Sequence, residues 1–176
     1  MRGIVLESAS FKTVSIEELK SSVGSIFYLW TLVERALCAG IETLNGEVSK
    51  KEQHTISRKI VRWESLQAAA RAQRPEHDAL VSEAIKRLNQ ALEIRNRIAH
   101  GLDSFTPDPF GRSGNPHLGT TLNGVKRALP YDDLEQVMRK LYFLTLTIRM
   151  LSEAANETDP IRAGKTYLAI RTNCLP

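Results

Sequence analysis

The sequence predicts an all-α protein, an up-down bundle of about four long helices with one long loop between the third and the fourth. Three observations carry that prediction. Apolar residues recur at three- and four-residue steps over four long segments, which is the spacing of a buried helical face. Cap and stop residues stand at the ends of those segments. Proline and glycine concentrate between 102 and 130, which hold four of the seven prolines and four of the ten glycines. At 176 residues the chain is the size of a single domain, able to bury roughly 70% of its unfolded surface. The expected division is a core over about 16–155, a loop insertion over 102–130 and a tail over 157–176.

The first helix is expected from about Ile16 to Leu44. Ser15 and Glu18 form a capping box, and Asn45-Gly46 supplies the stop. Leu19, Val23, Ile26, Leu29, Trp30, Val33, Leu37, Ile41 and Leu44 make its stripe. Gly24 and Gly40 mark either a kink or a close packing. The second helix is expected to open at Ser49, with Glu52 completing another capping box. Ile56, Ile60, Trp63 and Leu66 form its buried face, and Lys50, Lys51, Arg58, Lys59 and Arg62 its polar side. It fades at Ala68–Ala70. The third starts at Pro75, a favourable first-turn residue. It buries Leu80, Val81, Ala84, Ile85, Leu88, Leu92 and Ile98, and ends at Gly101.

The stretch 102–130 reads as a long loop. Asn123-Gly124, flanked by Thr120, Thr121, Leu122 and Val125, signals a short hairpin at its end. A loop of this length in a small domain is usually functional or mobile. The last helix is expected from Tyr131 to Ala155, with Leu134, Val137, Met138, Leu141, Leu144, Ile148 and Leu151 as its stripe. Phe143, Leu146 and Met150 widen that stripe, so the helix is either central or part of a subunit interface. The tail after Pro160 shows no strong pattern.

Composition excludes several classes. Hydrophobic residues are 42% and charged residues 25%, which excludes a wholly disordered chain. No apolar run approaches the ~20 residues of a membrane span, and Ser25 to Val33 is the longest candidate. Met1 to Phe11 lacks the basic flank and apolar stretch of a signal peptide. Cys38 and Cys174 are expected as reduced thiols in a cytoplasmic protein. Four histidines and two cysteines, none clustered, argue against a zinc site, and no cofactor is expected. The net charge of +4 lies wholly in the middle of the chain, where residues 51–100 carry ten basic and six acidic side chains. A basic middle suits a polyanionic partner or a solvated helical face.

Several apparent motifs dissolve on inspection. Gly164-Lys165-Thr166 ends like a phosphate-binding loop, but Asp159 stands where its first glycine belongs. Asn156-Glu157-Thr158 matches a glycosylation sequon without a secretory context. His54, His77 and His117 stand alone among polar residues and read as surface histidines. Asp132-Asp133 is explained by the dipole of the helix it opens.

One stretch remains: Glu93-Ile94-Arg95-Asn96-Arg97-Ile98-Ala99-His100-Gly101. Asn96 and His100 are four apart and share a helical face, within hydrogen-bonding reach. Arg95 and His100 are five apart, about 140° around an ideal helix. They converge only if the last turn relaxes, which a left-handed cap at Gly101 would permit. Arginine binds a phosphate and balances charge building on it. Histidine moves protons near neutral pH. Together they suit metal-free phosphodiester cleavage, with Lys86, Arg87 and Arg97 enlarging the positive field for RNA. The same residues are also ordinary partners of a helix C-terminus.

Arg95-Asn96-x-x-x-His100 resembles the signature of the HEPN domains (higher eukaryotes and prokaryotes nucleotide-binding), an arginine followed after four to six residues by a histidine, with a polar residue often next to the arginine. The sequence likeness is confined to these nine residues, and the helical pattern extends it loosely over 16–155. The resemblance implies a metal-independent endoribonuclease that acts as a homodimer, with two copies of the motif forming one composite site. Arg95 would bind the scissile phosphate, His100 would act as general acid or base, and Asn96 would orient His100 or the phosphate. Products would be a 2′,3′-cyclic phosphate and a 5′-hydroxyl. The family includes toxins and defence effectors, so an antitoxin or a defence-complex protein is an expected partner. Members controlled by adenylylation carry a tyrosine two residues after the histidine, where this chain has Leu102. Other members only bind nucleotides or proteins, and a non-catalytic helical binding or interaction module is the alternative.

Overall fold

In the computed structural model, which describes residues 12–47, 55–70 and 74–175, the capping box at Ser15 is present. Ser15 Oγ accepts from the Glu18 backbone N–H, and the Glu18 carboxylate accepts from that of Ser15. It opens α1 (Ile16–Thr43). Asn45 enters the left-handed region at φ 55° and stops the helix. The capping box expected at Ser49 and Glu52, and His54 beyond it, lie outside the described residues.

α2 (Ile56–Ala70) buries Ile60 and Trp63 as the spacing requires. Lys59, expected on the polar side, is buried too, because its ammonium pairs with Glu34 of α1. α3 (Pro75–Gly101) matches its expected bounds, with proline in the first turn.

The protein is mostly helical, as expected, and the expected hairpin belongs to a small three-stranded antiparallel sheet. β1 (Leu102–Thr106), β2 (His117–Leu122) and β3 (Val125–Pro130) lie in the order β1-β2-β3. The expected hairpin is the β2–β3 turn, with Asn123 at φ 53° and Gly124 at φ 76°. Positive φ at both central residues matches the right-handed twist of the flanking strands. β1 was hidden from the sequence reading because it begins directly at the helix end and exposes most of its five residues.

α4 (Tyr131–Asn156) packs most extensively on α1, and also touches α2, α3 and β3. Its wide apolar girth is met within the chain, with Phe143, Leu146 and Met150 packed against the core. The tail, patternless in sequence, forms α5 (Pro160–Ala169) and a π-helical turn, Ile170–Cys174. Asp159 caps α5 by accepting from Ile161 N–H. Ala163, Tyr167, Ile170 and Cys174 are buried at steps of three and four. Among the described residues no helix is long and apolar enough to cross a membrane.

A buried polar cluster joins these elements. The indole N–H of Trp63 donates to Ser152 Oγ at 2.9 Å, and Ser152 donates to the Ile148 carbonyl. Gln67 Nε2 donates to Ser152 at 3.5 Å, while its oxygen accepts from His77 Nε2 at 2.7 Å. The His77 ring packs edge-on against Tyr167, 5.5 Å between centroids. His77 is thus a core histidine with 1% exposure, against the surface position expected of it. Its polar sequence neighbours hid the fact that the helix turns it inward. Gly40 makes the cluster possible, since a Cβ there would stand 2.6 Å from Ser152 Oγ.

Asp108 ties the loop 107–116 to the start of α1. It forms a two-way backbone bridge with Val14. Its carboxylate accepts from the N–H groups of Arg112, Ser113 and Gly114 and from the Ser113 hydroxyl, at 2.8–3.0 Å. Desolvation pushes its pKa upward, but these bonds outweigh it and hold the carboxyl below its usual 3.8.

Ser152→Ala should leave the Trp63 and Gln67 donors without their acceptor and cost about 1–3 kcal/mol, read as a lower Tm. An unchanged Tm would remove the cluster from the account. For Asp108 the ionised form is the bonded one, so its contribution is complete above pH 3.8 and lost as pH falls through the lower folded value. Asp108→Asn should therefore destabilise at neutral pH, and the gap to the parent should narrow in acid. A gap independent of pH would contradict this.

Candidate functional site

The final three turns of α3 position the motif. Arg95 points toward α1, its guanidinium centre 5.6 Å from the Phe27 ring centroid, an arrangement in which cation and ring attract. Its Nη1 donates to Asn96 Oδ1 at 3.1 Å. Its Nε is buried and has no hydrogen-bond partner among the described residues. Arg95 and Asn96 together line a pocket of about 310 Å³ with Trp30, Glu34, Leu92 and the start of α2. Asn96 is half-buried, whereas His100 is exposed and its side chain makes no hydrogen bond to a described residue.

The structure thus joins Arg95 to Asn96 and leaves His100 apart. The expected relaxation of the last turn does not occur. α3 remains α-helical through Gly101, and Leu102 follows in extended conformation at φ −63° and ψ 119°. Gly101 is absent from the residues with positive φ, so a left-handed cap is not its role. Its reason is close approach: a Cβ at Gly101 would stand 2.6 Å from the Thr121 carbonyl oxygen of β2. The helix runs straight into β1 while β2 crosses against its last residue. The Arg95–His100 separation of about 140° around the axis is therefore retained. The hydrogen bond expected between Asn96 and His100 is not formed.

The three auxiliary cations are engaged to different degrees. Arg97 has 13% side-chain exposure. It donates to Glu93 at 3.2 Å and to the Val125 carbonyl at 3.5 Å, so it holds the hairpin to α3. Arg87 donates to Glu83 at 2.7 Å, and that hydrogen bond holds the Glu83 carboxyl below the usual carboxylate range. Lys86 is exposed and 3.9 Å from Glu83.

A second cleft was not foreseen from sequence. It has a volume of about 330 Å³ and lies where α3, β3 and α4 meet. Arg87, Gln90 and Ile94 line it from α3, Arg127 from β3, and Val137 and Lys140 from α4. Glu93 at its edge accepts from Arg127 at 3.1 Å. Arg127 and Lys140 are not among the residues the sequence singles out, because nothing local in the hairpin or in the last helix places them beside Arg87.

Chemically, the motif offers a partly desolvated guanidinium with an amide beside it, fit to hold a phosphate oxygen, and an accessible imidazole on another face, fit to exchange a proton. No protein-family model matches the chain, and neither does any curated protein or solved structure.

Gly101→Ala forces a methyl group against β2 backbone and should lower stability by about 1–3 kcal/mol, read by thermal unfolding. A neutral or stabilising result would mean that the helix–sheet joint is not tightly packed.

Proposed function

We propose that the chain is a metal-independent endoribonuclease of the HEPN type that works as a homodimer, with Arg95, Asn96 and His100 of both copies building a composite site. The observation that supports this most is the motif itself, borne at the end of a long helix with Arg95 and Asn96 hydrogen-bonded and His100 open to solvent. Because a straight helix holds Arg95 and His100 on different faces, one phosphate is served by Arg95 of one protomer and by His100 of the partner subunit.

Arg95 binds the scissile phosphate and balances the charge that grows on its oxygens. Asn96 fixes the guanidinium that does so. The ribose 2′-hydroxyl attacks phosphorus, its proton leaves to a base, and the bond to the 5′-oxygen breaks as that oxygen takes up a proton. His100 handles one of these two transfers. In this reading the helices of 16–155 form an up-down bundle of four, the protein is cytoplasmic, and it serves as a toxin or phage-defence effector held in check by an antitoxin or defence-complex partner. A second reading, a non-catalytic module that binds RNA or a nucleotide, is favoured by the separation of Arg95 from His100 within one protomer.

RNA cleavage in excess chelator separates the two readings. The parent should release 2′,3′-cyclic phosphate ends, with losses of about 10²–10⁴-fold in His100→Ala and about 10²–10³-fold in Arg95→Ala, both variants remaining folded. Binding without cleavage by the parent would select the second reading, and equal cleavage by parent and variants would refute the site.

A further inference from the structure

We infer that the α3–β3–α4 cleft is a strand-binding subsite, which holds one nucleotide of a single-stranded RNA beside the motif. The inference rests on the RNA reading of that motif for the identity of the strand, and on the cleft alone for the binding. Three cations converge there from three separate elements: Arg87, Arg127 and Lys140. Arg87 is paired with Glu83, and the acid of the lining, Glu93, already accepts from Arg97 and Arg127. Arg127 keeps half of its side chain exposed, and Lys140 is exposed with no ion pair to a described residue. The cleft therefore presents surplus positive charge to solvent, the complement of a phosphate-bearing ligand.

Beneath the charges lies an aliphatic floor of Ala91, Ile94 and Val137. It suits the face of a base, and the Gln90 amide beside it can hydrogen-bond a base edge or a ribose hydroxyl. A volume of about 330 Å³ is at the small end for ligand clefts, room for about one nucleotide. The aromatic platforms that most single-strand binders use are absent from this lining, so charge carries the affinity and sequence preference is weak. Along the helix axis, Ile94 lies about 9 Å and Arg87 about 20 Å from His100. Around that axis, however, the face of Arg87, Gln90, Ala91 and Ile94 stands about 90° from Arg95 and about 130° from His100, so a strand seated in the cleft reaches the motif by passing around α3.

The test is binding of a labelled single-stranded oligoribonucleotide to the full chain carrying His100→Ala, which keeps the strand intact. The pair Arg127→Gln and Lys140→Gln is compared with Arg162→Gln and Lys165→Gln, which removes equal charge from α5. The cleft pair should weaken binding about tenfold or more and lower the log–log salt slope by about 1.4, two contacts' worth for a single strand. The α5 pair should stay within about twofold of the parent. Equal losses in both pairs, no loss in the cleft pair, or no strand binding at all would overturn the subsite. Competition by a free nucleoside monophosphate as effective as that by the strand would replace a strand site with a mononucleotide site. Cleavage by the parent alongside normal binding by the cleft pair would sink this inference alone. Cleft-dependent binding without parental cleavage would sink the ribonuclease reading alone.

Discussion

The close approach of α1 to α4 at Gly40 is the constraint on which the other helices depend. With no side chain at Gly40, Trp63 of α2 and Ser152 of α4 fill the space above it, a Cβ there lying 3.0 Å from the indole nitrogen and 2.6 Å from the hydroxyl. Burying an indole N–H, a serine hydroxyl, a glutamine amide and an imidazole is costly unless they satisfy one another. Here the chain Trp63–Ser152–Gln67–His77 supplies partners for the indole, the hydroxyl, the amide oxygen and the imidazole Nε2. It runs from α2 through α4 into the first turn of α3, and Tyr167 adds α5 through its ring contact with His77. The polar cluster fixes which side of each helix faces inward, and with that the direction in which α3 presents its far end.

At that far end the geometry is set by a straight helix and a crowded joint. Arg97 and Glu93 bind the β3 side of the hairpin to α3, while Gly101 admits the β2 backbone against the last turn. These contacts forbid the loosening that would swing His100 toward Arg95. The same rigidity keeps the two side chains on different faces of α3, which is the geometry the proposed composite site calls for. The hairpin that locks the joint also brings Arg127 beside Arg87 and Lys140, so one structural device builds both the motif's geometry and the cationic cleft next to it.

Helices were legible wherever an apolar stripe met an end signal. The bounds of α3 were readable from Pro75 and Gly101, and the hairpin from Asn123-Gly124. β1 was not, because an exposed five-residue strand emerging from a helix has neither alternation nor a turn before it. α5 was signalled by the Asp159-Pro160 cap and the spacing of Ala163, Tyr167 and Ile170, but a helix of ten residues gives too few repeats to stand out. His77 and Lys59 were misplaced because polarity in sequence says nothing about a buried partner on another helix. In the candidate site, helical spacing pairs Asn96 with His100, whereas the long Arg95 side chain reaches its neighbour Asn96 instead, which i,i+1 spacing does not signal. The role of Gly101 was hidden too, since glycine serves left-handed turns and close contacts alike, and only the position of Thr121 decides between them.

In the proposed dimer, Arg95 and His100 act on one phosphate from different protomers. Co-expressing Arg95→Ala and His100→Ala chains with separate tags, and purifying the mixed dimer through both, tests this most directly. Each variant alone should be inactive on RNA in excess chelator, and the mixed dimer should regain cleavage, because it retains one intact arginine facing one intact histidine. A mixed dimer as inactive as either parent variant would contradict the claim.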